Sequence, residues 1–177
     1  SQDDLIIYPT HRIIEKEISQ EKILEAVKKY YDIEITSSKD EFLDKIEEEN
    51  KKQITTGLIL KGDKNYYVLK LKENAQKTID KPEVLQNLDL VVLHELILKK
   101  ELGFSDDELM AQSGIKYEKK ENVSFNAVNN GASAVFIMAY PKMGDILNIS
   151  SQGYRMPQKS TYFYPKLLSG IVINRIK

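Results

Sequence analysis

Two β-rich runs, 57–61 and 66–72, flank the polar stretch Gly62-Asp63-Lys64-Asn65. So short a connection joins only antiparallel neighbours, because parallel strands need a crossover of a dozen or more residues. In the second run Tyr67, Leu69 and Leu71 alternate with Val68, Lys70 and Lys72, giving one buried and one wetter face. A hairpin in mid-chain argues against a doubly wound parallel fold.

The rest of the chain alternates irregularly around this hairpin. Residues 5–14 read as a strand, with Pro9 as an edge or bend residue. Ser19 is placed to cap a helix carrying Ile23, Leu24, Val27, Tyr30 and Tyr31 at helical spacing, and Ile18 can staple onto Ile23. A strand over 33–36 follows. Ser38 and Glu41 then form a capping box for a second helix, with Phe42, Leu43 and Ile46 inward and 47–52 in solvent. The polar stretch 78–87, which contains Pro82, reads as a connection. Asp89 starts the most apolar helix, 90–102, and Gly103 ends it. Ser105 and Glu108 make another capping box, and Gly114 closes that helix. A strand at 115–117, a helix at 122–130, a buried strand at 134–140, a short helix from Asp145 to Gly153 and a last strand at 171–176 complete the pattern. The expected class is α+β: a mixed sheet with a β-hairpin and several packed helices, forming a single domain over 1–177. At 177 residues such a domain buries roughly 70% of its unfolded surface.

Composition removes several kinds of chemistry. With no cysteine there are no disulfides, thiolate metal sites or cysteine nucleophiles. His11 and His94 are the only histidines, so no metal ligands are assigned. No apolar run approaches the roughly 20 residues of a membrane helix, and no signal peptide is visible, so a cytoplasmic location is expected. Ser1-Gln2-Asp3-Asp4 runs abruptly into Leu5-Ile6-Ile7, which reads as the edge of a piece of a longer protein. The net charge of −1 conceals an asymmetry: residues 125–177 hold six cations against the single acid Asp145, a net +5 that leaves −6 for the rest. An anionic ligand is therefore expected near the last third of the chain.

No glycine-rich phosphate loop or nucleophile elbow is present. Lys159-Ser160-Thr161 lacks the glycines of a Walker A loop. His94-Glu95 opens like a zinc-protease motif, but Leu98 occupies the second histidine's place, so His94 reads as a hydrogen-bonded core or interface residue. The segment 156–170 is richer. Pro157 and Pro165 restrict it, Tyr162, Phe163 and Tyr164 anchor it, and Lys159, Ser160, Thr161 and Lys166 offer donors. It reads either as an anion-binding loop or as a proline-bounded edge strand with core aromatics. Pro9-Thr10-His11-Arg12 is the second candidate, either a phosphoryl clamp with an acid–base histidine or a residue pair on a wet strand face.

These segments, with Leu93-His94-Glu95-Leu96-Ile97-Leu98 between them, occur in an order that resembles the C-terminal half of a bacterial and archaeal family known as domain of unknown function ten-fifteen. The resemblance spans nearly the whole chain, and the stretch from Met156 to Lys166 is its most specific part. It implies a protein about twice this length. The N-terminal half would carry an Asp-Gly-His-His-Arg motif similar to that of ParB-like proteins and free-serine kinases, a motif this chain lacks.

Two functions are expected on these grounds. In the first, the domain completes a site for a phosphorylated small molecule or nucleotide, with kinase-like chemistry and a nucleotide with magnesium as the expected cofactor. Lys159, Lys166 and Arg12 would meet phosphate, Ser160 and Thr161 would donate hydroxyls, and His11 would act as acid–base. In the second, it is a non-catalytic module that forms a homodimer or docks the N-terminal half. Helix 90–102, His94, Tyr162 and Tyr164 would then form the interface. Neither nucleic acid nor membrane is an expected partner.

Overall fold

The computed structural model describes residues 6–164, with the backbone alone for 162–164. Six strands form one sheet: β2 (His11–Ile14), β3 (Tyr31–Thr36), β4 (Thr55–Leu60), β5 (Tyr66–Leu71), β6 (Ile115–Glu118) and β7 (Ala134–Met138), in the order β3-β5-β4-β7-β2-β6. A separate pair joins β1 (Ile6–Pro9) to β8 (Thr161–Tyr164). The class is α+β, as expected. The sheet is not mixed, however: each pairing is antiparallel. The helix between β3 and β4 returns the chain so that those strands run the same way, but β5 inserts between them and pairs antiparallel with both.

The strand expected over 5–14 is broken at Thr10. Pro9 has no amide hydrogen and cannot continue a ladder through the sheet interior. β1 therefore turns away to β8, while β2 enters the main sheet between β6 and β7. Residues 171–176 lie outside the described residues.

Helices cover both faces. On one face Ile14, Tyr31, Leu58, Leu69, Phe136 and Met138 pack with Ile23 and Val27 of α1 (Gln20–Tyr30) and with Leu93 and Ile97 of a long helix. That helix starts as α4 (Asp89–Val92) and continues as a π-helix, Leu93–Glu101. On the other face Ile13, Ile59, Val68, Val135 and Ile137 pack with Phe42 and Ile46 of α2 (Lys39–Asn50). β5 is thus covered on both sides at Val68, which corrects the expected wetter face.

Caps set several boundaries. α5 (Asp106–Ala111) has the full capping box: the Glu108 amide donates to Ser105 Oγ at 3.0 Å, and the Ser105 amide donates to a Glu108 carboxylate oxygen at 2.8 Å. Only half of the box forms at α2. Ser38 Oγ accepts from the Glu41 amide, but the Glu41 carboxylate accepts from Thr36 Oγ1 at 2.7 Å. α7 (Met143–Ser151) starts before Asp145, whose amide already donates to Lys142 O at 3.1 Å, so Asp145 sits in the first turn and is not the cap.

Residues 90–102 were expected to offer an interface. Leu90, Val91, Val92, Leu93, Leu96, Ile97, Leu98 and Leu102 are all buried in the domain's own core, so that expectation is corrected. Among the described residues no helix is long and apolar enough to cross a membrane.

Gly57 lets α2 approach β4. A Cβ there would lie 2.4 Å from Phe42 Cζ and 2.5 Å from Ile46 Cδ1. Gly57→Ala is expected to cost about 1–3 kcal/mol through overpacking, read as a lower urea midpoint at unchanged slope.

Candidate functional site

The break at Thr10 places a guanidinium where backbone ladders would otherwise run. Arg12 is wholly buried, at 0% exposure. Its Nε donates to His94 Nε2 at 3.1 Å, one terminal nitrogen donates to Thr10 O, and the other to Lys159 O at 3.0 Å. The guanidinium carbon also stands 4.9 Å from the Tyr117 ring centroid. The His94 ring stacks on Tyr117 at 6.2 Å. One side chain therefore ties β2 to the π-helix, to β6 and to the turn before β8.

The local electrostatics follow from burial. Burial pulls Arg12 down to about 10, opposed by Tyr117 and Asp89, so it stays charged at neutral pH. Burial, reinforced by Arg12 and Lys99, lowers His94 to about 3. A neutral His94 that accepts at Nε2 carries its proton on Nδ1.

Arg12 lines a cavity of about 230 Å³. Asp89, Lys142, Asp145, Ser160 and Thr161 share its wall, together with Pro9 and residues 50–54 and 138–141. Burial pushes the Asp89 carboxyl up to about 6; its bond from the Leu90 amide and the Arg12 charge oppose this, while Asp145 and Glu47 add to it. Lys142 Nζ donates to Asn50 O at 2.8 Å, closing one side.

The structure brings Arg12, Ser160 and Thr161 to one cavity wall, sets His11 apart from it, and puts Lys159 on an adjoining hollow that Thr161 also lines. His11 faces the opposite side of the sheet, as its neighbour in a strand must. There it is buried at 4% exposure, and its Nδ1 accepts from the Met138 amide at 3.0 Å. Lys159 gives the first cavity's anchor its carbonyl, but the residue lines a different hollow, with Thr10 and Tyr117. Its φ of +57° is one that a non-glycine residue rarely adopts. Lys166 lies outside the described residues. Tyr162 and Tyr164 are placed on β8 by their backbone. No group of three or more metal-ligating side chains occurs among the described residues.

Sequence reading did not single out Asp89, Lys142, Tyr117 or residues 50–54 as site residues. The +5 segment did point toward Lys142. In the sequence Asp89 reads only as a helix start, and nothing in its spacing distinguishes a capping carboxylate from one facing a cavity.

Arg12→Lys removes the planar fork and leaves His94 Nε2 and Lys159 O without their donors. A loss of about 3 kcal/mol or more is expected in guanidinium unfolding. The pH dependence has two opposed parts. His11 is held down to about 4, by burial and then Arg12, and His94 to about 3. The stability they contribute is complete above their unfolded value of about 6.5 and is lost as pH falls through that value toward the folded ones. Asp89 acts the other way: its raised carboxyl favours the fold below about 3.9 and ceases to do so as pH rises through about 6. Melting temperatures of Asp89→Asn should therefore gain on the parent between pH 4 and 7, while those of His94→Gln should fall behind it.

Comparison with known proteins supports the fold. Free serine kinase in complex with AMP superposes with a TM-score of 0.50 at 16% identity, over 92% of this chain and 55% of that chain. A mutant of free serine kinase in complex with ADP gives 0.50 at 18% identity, with the same two coverages of 92% and 55%. A conserved hypothetical protein from Pyrococcus furiosus gives 0.51 at 15% identity, over 92% of this chain and 57% of that one. The chain thus spans a little over half the length of the solved structures it matches. No curated protein matches it. The family model described as Protein of unknown function (DUF1015) matches residues 1–91, just over half of the 177, and the chain belongs to that family.

Proposed function

We propose that this chain forms one side of a site for a nucleotide or other phosphorylated small molecule, and that an N-terminal half of a longer protein completes it. The observation that carries this reading is the cavity whose wall holds buried Arg12 together with Ser160, Thr161 and Lys142. A guanidinium has five N–H donors. Three are engaged in the fold, and Arg12 is wholly buried, so it acts on a phosphate in this cavity through its charge and not by direct contact. The nucleotide complexes formed by proteins of this fold agree with such a ligand.

Asp89 is better placed than His11 to take a proton at this cavity. Its carboxyl, near pH 6, is mostly ionised at neutral pH and basic enough to accept from a substrate hydroxyl as phosphoryl transfer proceeds. Magnesium normally accompanies a bound polyphosphate through one or two carboxylates and the phosphates themselves. Asp89 and Asp145 fit that donor set. Lys166 keeps its proposed part as a further phosphate cation.

A second reading has its own observation. Met143 and Leu147 on α7, with Tyr140 and Tyr154 at its ends, are all more than 40% exposed. An apolar face of this kind suits docking of the remaining half.

The test is a thermal-shift panel at low salt on this chain and on the longer protein, using ATP, ADP, AMP, phosphate, serine and phosphoserine, each with and without magnesium. A ligand at 100 times its Kd stabilises by roughly 2.7 kcal/mol, a shift of several degrees. Nucleotide or phosphate is expected to shift at least the longer protein, and Ser160→Ala with Thr161→Val to reduce that shift at an unchanged apo melting temperature. Absence of any shift in both proteins would reject the ligand site and favour the docking module.

A further inference from the structure

A second cavity, of about 280 Å³, opens on the sheet face opposite Arg12. Its walls include Tyr8, His11, Leu43, Glu47, Ile137 and Tyr140. Two polar groups are fixed there by the same structural accident. Because β2 parts from β7 beyond Arg12, whose partner is Phe136, the amides that follow on β7 need other acceptors. The Met138 amide donates to His11 Nδ1 at 3.0 Å. Two residues on, the Tyr140 amide donates to a Glu47 carboxylate oxygen at 2.9 Å.

Each acceptor thereby has its second polar atom left over. His11 is neutral at physiological pH, since burial holds it down to about 4, and a histidine accepting at Nδ1 carries its proton on Nε2. That N–H has no partner among the described residues. The second oxygen of Glu47 has none either. Glu47 was expected in solvent but is half-buried, and burial raises its carboxyl. Besides Lys119, Lys120, Glu121 and Asn122 at its wall, the cavity is therefore lined by a neutral N–H donor and an acceptor anchored on alternate amides, which lie about 7 Å apart in an extended chain. Beside them the Tyr8 and Tyr140 rings stand 6.2 Å apart at 50°.

We propose that this second cavity binds a purine base. A purine has the flat apolar body that tyrosine rings and Leu43 or Ile137 can sandwich. Its edge carries both an acceptor for the His11 N–H and an amino or imino donor for Glu47. A volume just under the roughly 300 Å³ where drug-sized pockets begin suits one bicyclic ring. The two cavities share Pro9, Met138 and Tyr140. A nucleotide whose base sat here would lead its phosphates around the end of β7 toward Ser160, Thr161 and Arg12. That continuation rests on the function proposed above, whereas recognition of the base does not.

The experiment separates the two. The ¹⁵N-labelled chain is titrated to millimolar concentration with adenosine, guanosine and uridine, and separately with inorganic pyrophosphate. Adenosine or guanosine is expected to move the Met138 and Tyr140 amide signals in saturable fashion, with uridine weaker. Glu47→Gln keeps an acceptor for the Tyr140 amide but replaces the free oxygen with a donor, and should weaken purine binding tenfold or more. Tyr140→Leu removes one ring at a half-exposed position and should do the same. The apo spectrum of each variant reports whether the fold is kept. If no purine nucleoside moves those two amides, or both folded variants bind as the parent does, the base site is overturned. Pyrophosphate binding in that case leaves the phosphate reading standing; purine binding without any pyrophosphate effect does the reverse.

Discussion

A charged guanidinium sits wholly inside this domain, and no carboxylate contacts it among the described residues. An isolated buried charge is among the costliest features a fold can hold. Arg12 is tolerated because it is hydrogen-bonded to a neutral imidazole and two backbone carbonyls and lies against a tyrosine face. Each of these partners belongs to a different stretch of chain. Desolvation of Arg12 is offset only while β2, the π-helix, β6 and the turn before β8 are all in place, so the residue makes their assembly cooperative. Its field also explains the neighbours: it opposes the burial of Asp89 and adds to the depression of both histidines.

The π-helix belongs to the same account. Runs of i→i+5 bonds are rare and recur at functional positions. Here the wider turn carries His94, whose Nε2 must face a guanidinium while its ring stacks on Tyr117. The segment closes with the Leu102 amide donating to Ile97 O and the Phe104 amide to Leu98 O, both at 2.9 Å. Leu93, Leu96, Ile97 and Leu98 are still buried around it, so the altered period is compatible with the core.

Local signals in the sequence were readable where one residue type has one common use. Ser19 and Ser105 cap their helices, Gly103 ends the apolar helix at a φ of +76°, and Gly62-Asp63-Lys64-Asn65 makes the hairpin. Readings failed where a long-range partner decided the outcome. Glu41 left its box because the Ser38 amide donates to Thr36 Oγ1, and that hydroxyl donates on to Glu41. Glu47 left solvent because an unpaired amide at Tyr140 needed an acceptor. Of the candidate site residues, Arg12, Ser160 and Thr161 line one cavity, although nothing in their spacing along the chain gives that proximity. His11 was coupled to Arg12 by adjacency in sequence, although in a strand adjacency means opposite faces.

That opposition gives Pro9-Thr10-His11-Arg12 its meaning in the fold. The proline parts the strand, and the parting exposes amides and carbonyls on both sides of the sheet at once. Arg12 answers on one face by donating to Thr10 O, and His11 answers on the other by accepting from Met138. Two cavities result, each with one of these side chains in its wall and with Pro9, Met138 and Tyr140 common to both. The end of β7 is therefore a wall common to both cavities. On the two proposals made above, ligands in the two cavities would meet the same stretch of backbone at the end of β7.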